Sequence, residues 1–67
     1  MFDAAFLCSV ALLRGLELRY GRHSVKLKYG RIAYSEAVRF VEEVGEGRAV
    51  IAAHRALEGK KGKVKWL

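Results

Sequence analysis

The sequence predicts an α+β fold: a single small domain spanning residues 1–67, with elements in the order α-β-β-α-α-β and an antiparallel sheet that has one apolar and one basic face. Three observations predict it. First, three short stretches alternate apolar with polar side chains, the period of a strand: Leu16, Leu18 and Tyr20 with Glu17 and Arg19; Val25, Leu27 and Tyr29 with Lys26 and Lys28; Val64 and Trp66 with Lys63 and Lys65. Second, three other stretches carry apolar residues at helical density or spacing. Third, Gly15, Gly30, Gly45 and Gly59 stand where one kind of pattern gives way to the next.

The first helix has both ends marked. Asp3 is placed to cap the free amides at its start, Gly15 to take the left-handed conformation after its end, and Arg14 to suit the dipole of the last turn. Between them Ser9 is the one polar residue. A helix apolar nearly all round is expected to be covered on more than one side. Its apolar run is too short to cross a bilayer, which takes roughly 20 residues. A secretory leader is not indicated either, because Asp3 and no lysine or arginine precedes the run. The expected location is cytoplasmic, free or inside an intracellular particle.

Strands Leu16 to Tyr20 and Val25 to Tyr29 are joined through Gly21, Arg22, His23 and Ser24. A two-residue turn beginning at Gly21 and a four-residue loop both fit. The two registers differ by two residues, so both keep the same faces together and set Glu17 opposite Lys26 or Lys28.

Ser35 is the expected N-cap of a second helix, Glu36 to Val44, closed by Gly45. Ala37, Val38, Val41 and Val44 form its apolar stripe with Phe40 at the border, while Glu36, Arg39, Glu42 and Glu43 lie elsewhere. The segment Arg48 to Leu57 puts Val50, Ala53, His54 and Leu57 on one helical face, ending before Gly59; β-branched Val50 and Ile51 keep a strand open as the alternative. A loop of Gly59, Lys60, Lys61 and Gly62 then leads to the final strand, Lys63 to Leu67. Internal repeats, low-complexity tracts and interdomain linkers are absent from the sequence.

Helix, hairpin, helix, helix, strand resembles the topology of the type II KH family, an RNA-binding fold whose signature is a Gly-x-x-Gly loop between two helices. The place of that loop holds Gly45, Glu46, Gly47 and Arg48, one residue short and with an acid that repels phosphate. Gly59-Lys60-Lys61-Gly62 has the right residues, but the five that follow leave no room for a second helix. The resemblance is one of order only.

Charge gives the functional direction. The 67 residues carry a formal net charge of +6, and the signs are segregated. Arg14, Arg19, Arg22, Lys26, Lys28 and Arg31 follow one another with Glu17 as the only acid among them, Lys60, Lys61, Lys63 and Lys65 form a second block, and the acids gather between Glu36 and Glu46. Segregation of this kind is the footprint of a nucleic-acid binder, against the plainer reading of a solvated, aggregation-resistant face. Arg19, Arg22, Lys26, Lys28, Arg31, Lys60, Lys61, Lys63 and Lys65 are the candidate phosphate contacts. Neutralising some five to eight phosphates predicts a log-affinity slope against log salt of about −4 to −7 on a duplex. Tyr20, Tyr29 and Trp66 share parity with the apolar residues, so they are expected to pack under the sheet instead of stacking on bases. That favours recognition of phosphates and shape, and structured RNA or duplex over an extended single strand. Small size, segregated charge and the lack of catalytic groups point to an RNA-binding protein, structured RNA ahead of DNA, with an accessory or ribosomal-type role in a ribonucleoprotein particle. Gly59 to Gly62 reads as a phosphate-contacting turn or as a plain basic loop.

A small chain buries little surface, roughly 60% at this size, and lone Cys8 forms no intrachain disulfide, so further stabilisation is expected from a partner. Hence the alternative function: a protein–protein module or homodimer, DNA-binding in one version, docking through the apolar first helix, with Phe2, Phe6, Leu7, Val10, Leu12 and Leu13 offering the apolar surface. A membrane partner is not expected, as no helix pairs a basic face with an apolar one. The absence of Asn, Gln, Thr and Pro beside abundant Glu, Lys and Arg runs in the direction of hyperthermophile, and so prokaryotic, composition.

The inventory for catalysis is thin. Cys8 reads as a small buried thiol, and His23 and His54 have no carboxylate at a spacing that orients them. Adjacent Glu42 and Glu43 diverge on a helix. Phosphate-loop, dinucleotide and zinc spacings do not occur, so no enzyme activity, cofactor, metal or small-molecule substrate is expected.

Overall fold

Asp3 and Gly15 set the limits of the first helix in the computed structural model, which describes residues 3–60 of the chain. α1 (Ala4–Leu13) begins where the Asp3 carboxylate accepts the Phe6 amide at 2.7 Å. It ends in a Schellman motif: Gly15, at φ +80°, donates to the Leu12 carbonyl at 2.9 Å, and the Leu16 amide reaches the Ala11 carbonyl at 3.1 Å. Arg14 is the C-cap residue, just beyond the last turn.

β1 (Glu17–Tyr20) and β2 (His23–Lys26) pair antiparallel, with Glu17 opposite Lys26 and Leu18 opposite Val25. This is the register of the two-residue turn, with Gly21 at the positive φ its first position requires. β2 therefore starts earlier and stops earlier than the expected Val25 to Tyr29. The tight turn brings His23 and Ser24 into the ladder, and a second turn ends it. There the Arg31 amide donates to the Lys28 carbonyl at 3.0 Å, with Gly30 at φ +85°, as the third residue of a type II turn requires. Leu18 is fully buried on the inner face, with Tyr20 and Val25 half-buried beside it; Glu17, Arg19, Ser24 and Lys26 are exposed.

α2 (Ala33–Val44) begins three residues before the expected Glu36. Ser35 does not cap it; Ile32 holds the N-cap position without a side-chain bond. Starting early adds Ala33 to a buried stripe of Ala33, Glu36, Ala37, Phe40 and Val44, and sets Glu36 in the first turn, where the helix dipole favours an anion. Phe40 is thus central to the stripe and not its border, while Val38 and Val41 are half-buried flanks.

Gly45 both ends α2 and starts α3 (Glu46–Lys60): its amide donates to Val41 at 2.7 Å and its carbonyl accepts from Ala49 at 2.9 Å. α3 is a helix and passes both expected limits, starting before Arg48 and running through Gly59. The deciding pattern is Ala49, Ala52, Ala53 and Ala56, spaced i, i+3, i+4, i+7, of which the first three are buried. Of the residues expected to share one helical face, Ala53 is buried, Val50 and Leu57 are half-buried and His54 is exposed.

α1 packs against both α2 and α3, which gives it the two-sided cover its composition demands; α3 also packs on β1 and α2 on β2. Among the described residues, Phe40, Leu12, Leu18 and Cys8 are the largest fully buried side chains, and alanines fill much of the rest, so the helices lie close. The expected final strand, Lys63 to Leu67, lies outside the described residues, as do Lys61 and Gly62 of the expected loop; Gly59 and Lys60 are the end of α3. Among the described residues, no helix is long and apolar enough to cross a membrane.

Candidate functional site

The chain leaves β2 at Lys26, passes Lys28, turns through Tyr29 and Gly30, and enters α2 after Arg31. Because α2 packs back on β2, these cations are brought level with the first two turns of the helix. Between the strand and the helix lies an open cleft of about 420 Å³, lined by Ser24, Val25, Lys26, Lys28, Arg31, Glu36 and Arg39. Four cations face one carboxylate.

That carboxylate organises the cleft. The Glu36 side chain is 11% exposed; its Oε2 accepts from Arg31 Nε at 2.9 Å, and its Oε1 lies 3.7 Å from Arg39 Nη1. The arginine side chains are 55% and 64% exposed, so each guanidinium retains donors toward solvent, while Glu36 holds Arg31 by a hydrogen bond and faces Arg39 within ion-pair range. Glu17, set opposite Lys26 by the register, instead accepts from Ser24 Oγ, its diagonal neighbour. Lys26 and Lys28 have no ion-pair partner among the described residues.

Of the nine candidate phosphate contacts, Lys26, Lys28 and Arg31 come together in this cleft. Arg19 is exposed on the outer face of the hairpin and Arg22 at its turn. Lys60 is the last residue of α3, and Lys61, Lys63 and Lys65 lie outside the described residues. Sequence reasoning missed Arg39, which had been grouped with the acidic helix; its three-residue spacing from Glu36 was the available signal.

The aromatic residues divide. Tyr20 is half-buried, with Arg55 Cζ 6.0 Å from its ring centroid, in keeping with packing beneath the sheet. Tyr29 contradicts that expectation: it is 106% exposed, because the turn at Lys28–Arg31 ends the strand before its parity counts. Trp66 lies outside the described residues.

His23 does meet a carboxylate, contrary to expectation. Its Nδ1 is 3.3 Å from Glu43 Oε1, a contact across the β2–α2 packing that local spacing does not reveal. Ser24, the next residue, points to the opposite strand face toward Glu17. Cys8 is the expected buried thiol; it donates to the Ala49 carbonyl at 3.6 Å, and burial pushes its pKa up to about 11. Among the described residues no cluster of His, Cys, Asp and Glu is suited to hold a metal ion. No known protein family, curated protein or solved structure matches the chain.

Proposed function

We propose that the protein binds nucleic acid, RNA ahead of DNA, through phosphate contacts in the cleft between β2 and α2, as an accessory or ribosomal-type component of a cytoplasmic ribonucleoprotein particle. It acts as a binder and not as an enzyme. The supporting observation is the convergence of Lys26, Lys28, Arg31 and Arg39 on one cleft, with Arg31 hydrogen-bonded to Glu36 and Arg39 within ion-pair range of it. A guanidinium steadied as Arg31 is loses less side-chain entropy on meeting a phosphate. Arg19 and Arg22 extend the cationic surface along the hairpin.

Fluorescence anisotropy with a short RNA stem-loop across a salt series tests this reading. The expected slope of log affinity against log salt is about −4 to −5, and Arg39→Ala reduces it by about 1 while Arg48→Ala, on α3, leaves it unchanged. A flat salt dependence, or no binding to RNA or DNA at low salt, removes the reading.

A second reading, a homodimer or protein partner docked on α1, draws on Leu13, which is 69% exposed, and on half-buried Val10 one turn before it. Leu7 and Leu12 are already used in the core. Sedimentation of nucleic-acid-free protein as a folded monomer at micromolar concentration removes this reading.

A further inference from the structure

We infer that Tyr29 seats an unpaired nucleobase beside the cationic cleft, so that the ligand is an RNA with unpaired nucleotides in a loop, bulge or single strand. The inference rests on the phosphate-binding reading and adds to it the class of nucleic acid.

Tyr29 occupies the second position of the turn closed by the Arg31 amide on the Lys28 carbonyl. In such a turn the first and last Cα atoms lie within about 7 Å, so Lys28 and Arg31 bracket the base of the tyrosine side chain. Both line the cleft. Gly30, at φ +85°, holds the turn in a shape that ordinary residues resist, which fixes where Tyr29 leaves the backbone. At 106% exposure its ring contributes nothing to the core, unlike Tyr20, which is half-buried beneath Arg55.

An exposed aromatic ring flanked by cations matches the two parts of a nucleotide. The cations take the phosphates and the ring offers a π-face to the base. A base paired inside a duplex has both faces occupied by its neighbours in the stack, whereas an unstacked, unpaired base has a face to offer. Tyr34, 49% exposed in the first turn of α2, is two positions from Glu36 and therefore on the far side of the helix from the cleft.

Anisotropy with three RNA probes tests the inference: a stem-loop, the same stem-loop with abasic loop positions, and a fully paired duplex of equal charge. Wild type is expected to bind the intact stem-loop most tightly. Tyr29→Ala weakens that binding about 5- to 100-fold, the loss expected for one base stack, and leaves the duplex and abasic probes unchanged. Its salt slope stays at the wild-type value, because a stacking contact releases no counterion. Tyr29→Phe keeps wild-type affinity, and Tyr34→Ala does so as well. Equal binding of the stem-loop by wild type and Tyr29→Ala overturns the inference but leaves the phosphate reading standing, as does an equal loss on all three probes. Absence of binding to every probe removes both.

Discussion

Arg31 Nε donates to Glu36 Oε2 at 2.9 Å, joining the β2–α2 turn to the first helical turn of α2. The glutamate is one of two buried polar residues among those described, the other being Ser9, whose hydroxyl donates to the Phe6 carbonyl at 2.7 Å. A carboxylate in that position is tolerable only because two guanidinium groups face it.

Replacing it tests that compensation. Glu36→Gln keeps size and polarity but removes the charge, leaving Arg31 and Arg39 without their shared anion. Both arginines are more than half exposed, so the solvent screens much of the loss, and the expected cost is about 1 to 2 kcal/mol. Urea unfolding of wild type and variant measures it. An unchanged midpoint shows that the carboxylate does not hold the cleft together.

How far the sequence announced this arrangement depended on the range of the interaction. Asp3 and Gly15 act on neighbours a few residues away, and both ends of α1 were legible from them. Gly21 gave two admissible turns, and only the paired strands chose between them. Ser35 looked like a cap because capping is local, but the start of α2 was decided by burial of Ala33 against other elements. The site divided in the same way. Lys26, Lys28 and Arg31 were found from a run of cations, whereas Arg39 and the His23–Glu43 contact depend on α2 folding back on β2. Tyr29 was misplaced because alternation was extended across a turn that Tyr29-Gly30 itself announces.

Gly45 is a joint sensitive to a side chain. At φ +96° and ψ 152° it lies in a region that only glycine adopts readily. A Cβ there meets nothing within 4 Å, so the cost of Gly45→Ala is torsional and not steric. It is expected to be about 1 to 3 kcal/mol. Gly47→Ala, inside α3 and also in open space, is expected to stabilise by a few tenths to about 1 kcal/mol. Thermal unfolding of the pair gives opposite shifts; a shared sign contradicts the conformational argument.

The alanine stripe of α3 makes a different demand. Ala53 is fully buried, and α3 packs against both α1 and β1. Ala53→Leu forces three extra carbons into that contact and is expected to cost about 1 to 3 kcal/mol or more, while Ala56→Leu, at a half-buried position, costs less. Denaturant midpoints rank the two. Equal tolerance at both positions means the α1–α3 approach is looser than the buried alanines imply.

Cys8 ties stability to alkaline pH. Its thiol is fully buried, and burial raises its pKa from the ordinary 9.0 to about 11. Below about pH 9 the thiol is protonated in folded and unfolded chains alike, so the contribution to stability is constant. As pH rises further the unfolded chain releases its proton first, and stability falls toward the folded pKa by about 2 to 3 kcal/mol in all. Cys8→Ala removes the titrating group at a fixed packing cost of about 1 kcal/mol. The stability difference between wild type and Cys8→Ala is therefore constant near neutral pH and shifts in favour of the variant between about pH 9 and 11. Lysine and tyrosine titrations, common to both proteins, cancel in that difference. A difference that stays flat to pH 11 shows that the thiol ionises as easily in the folded chain as in the unfolded one, and that the core around Ala49 admits water.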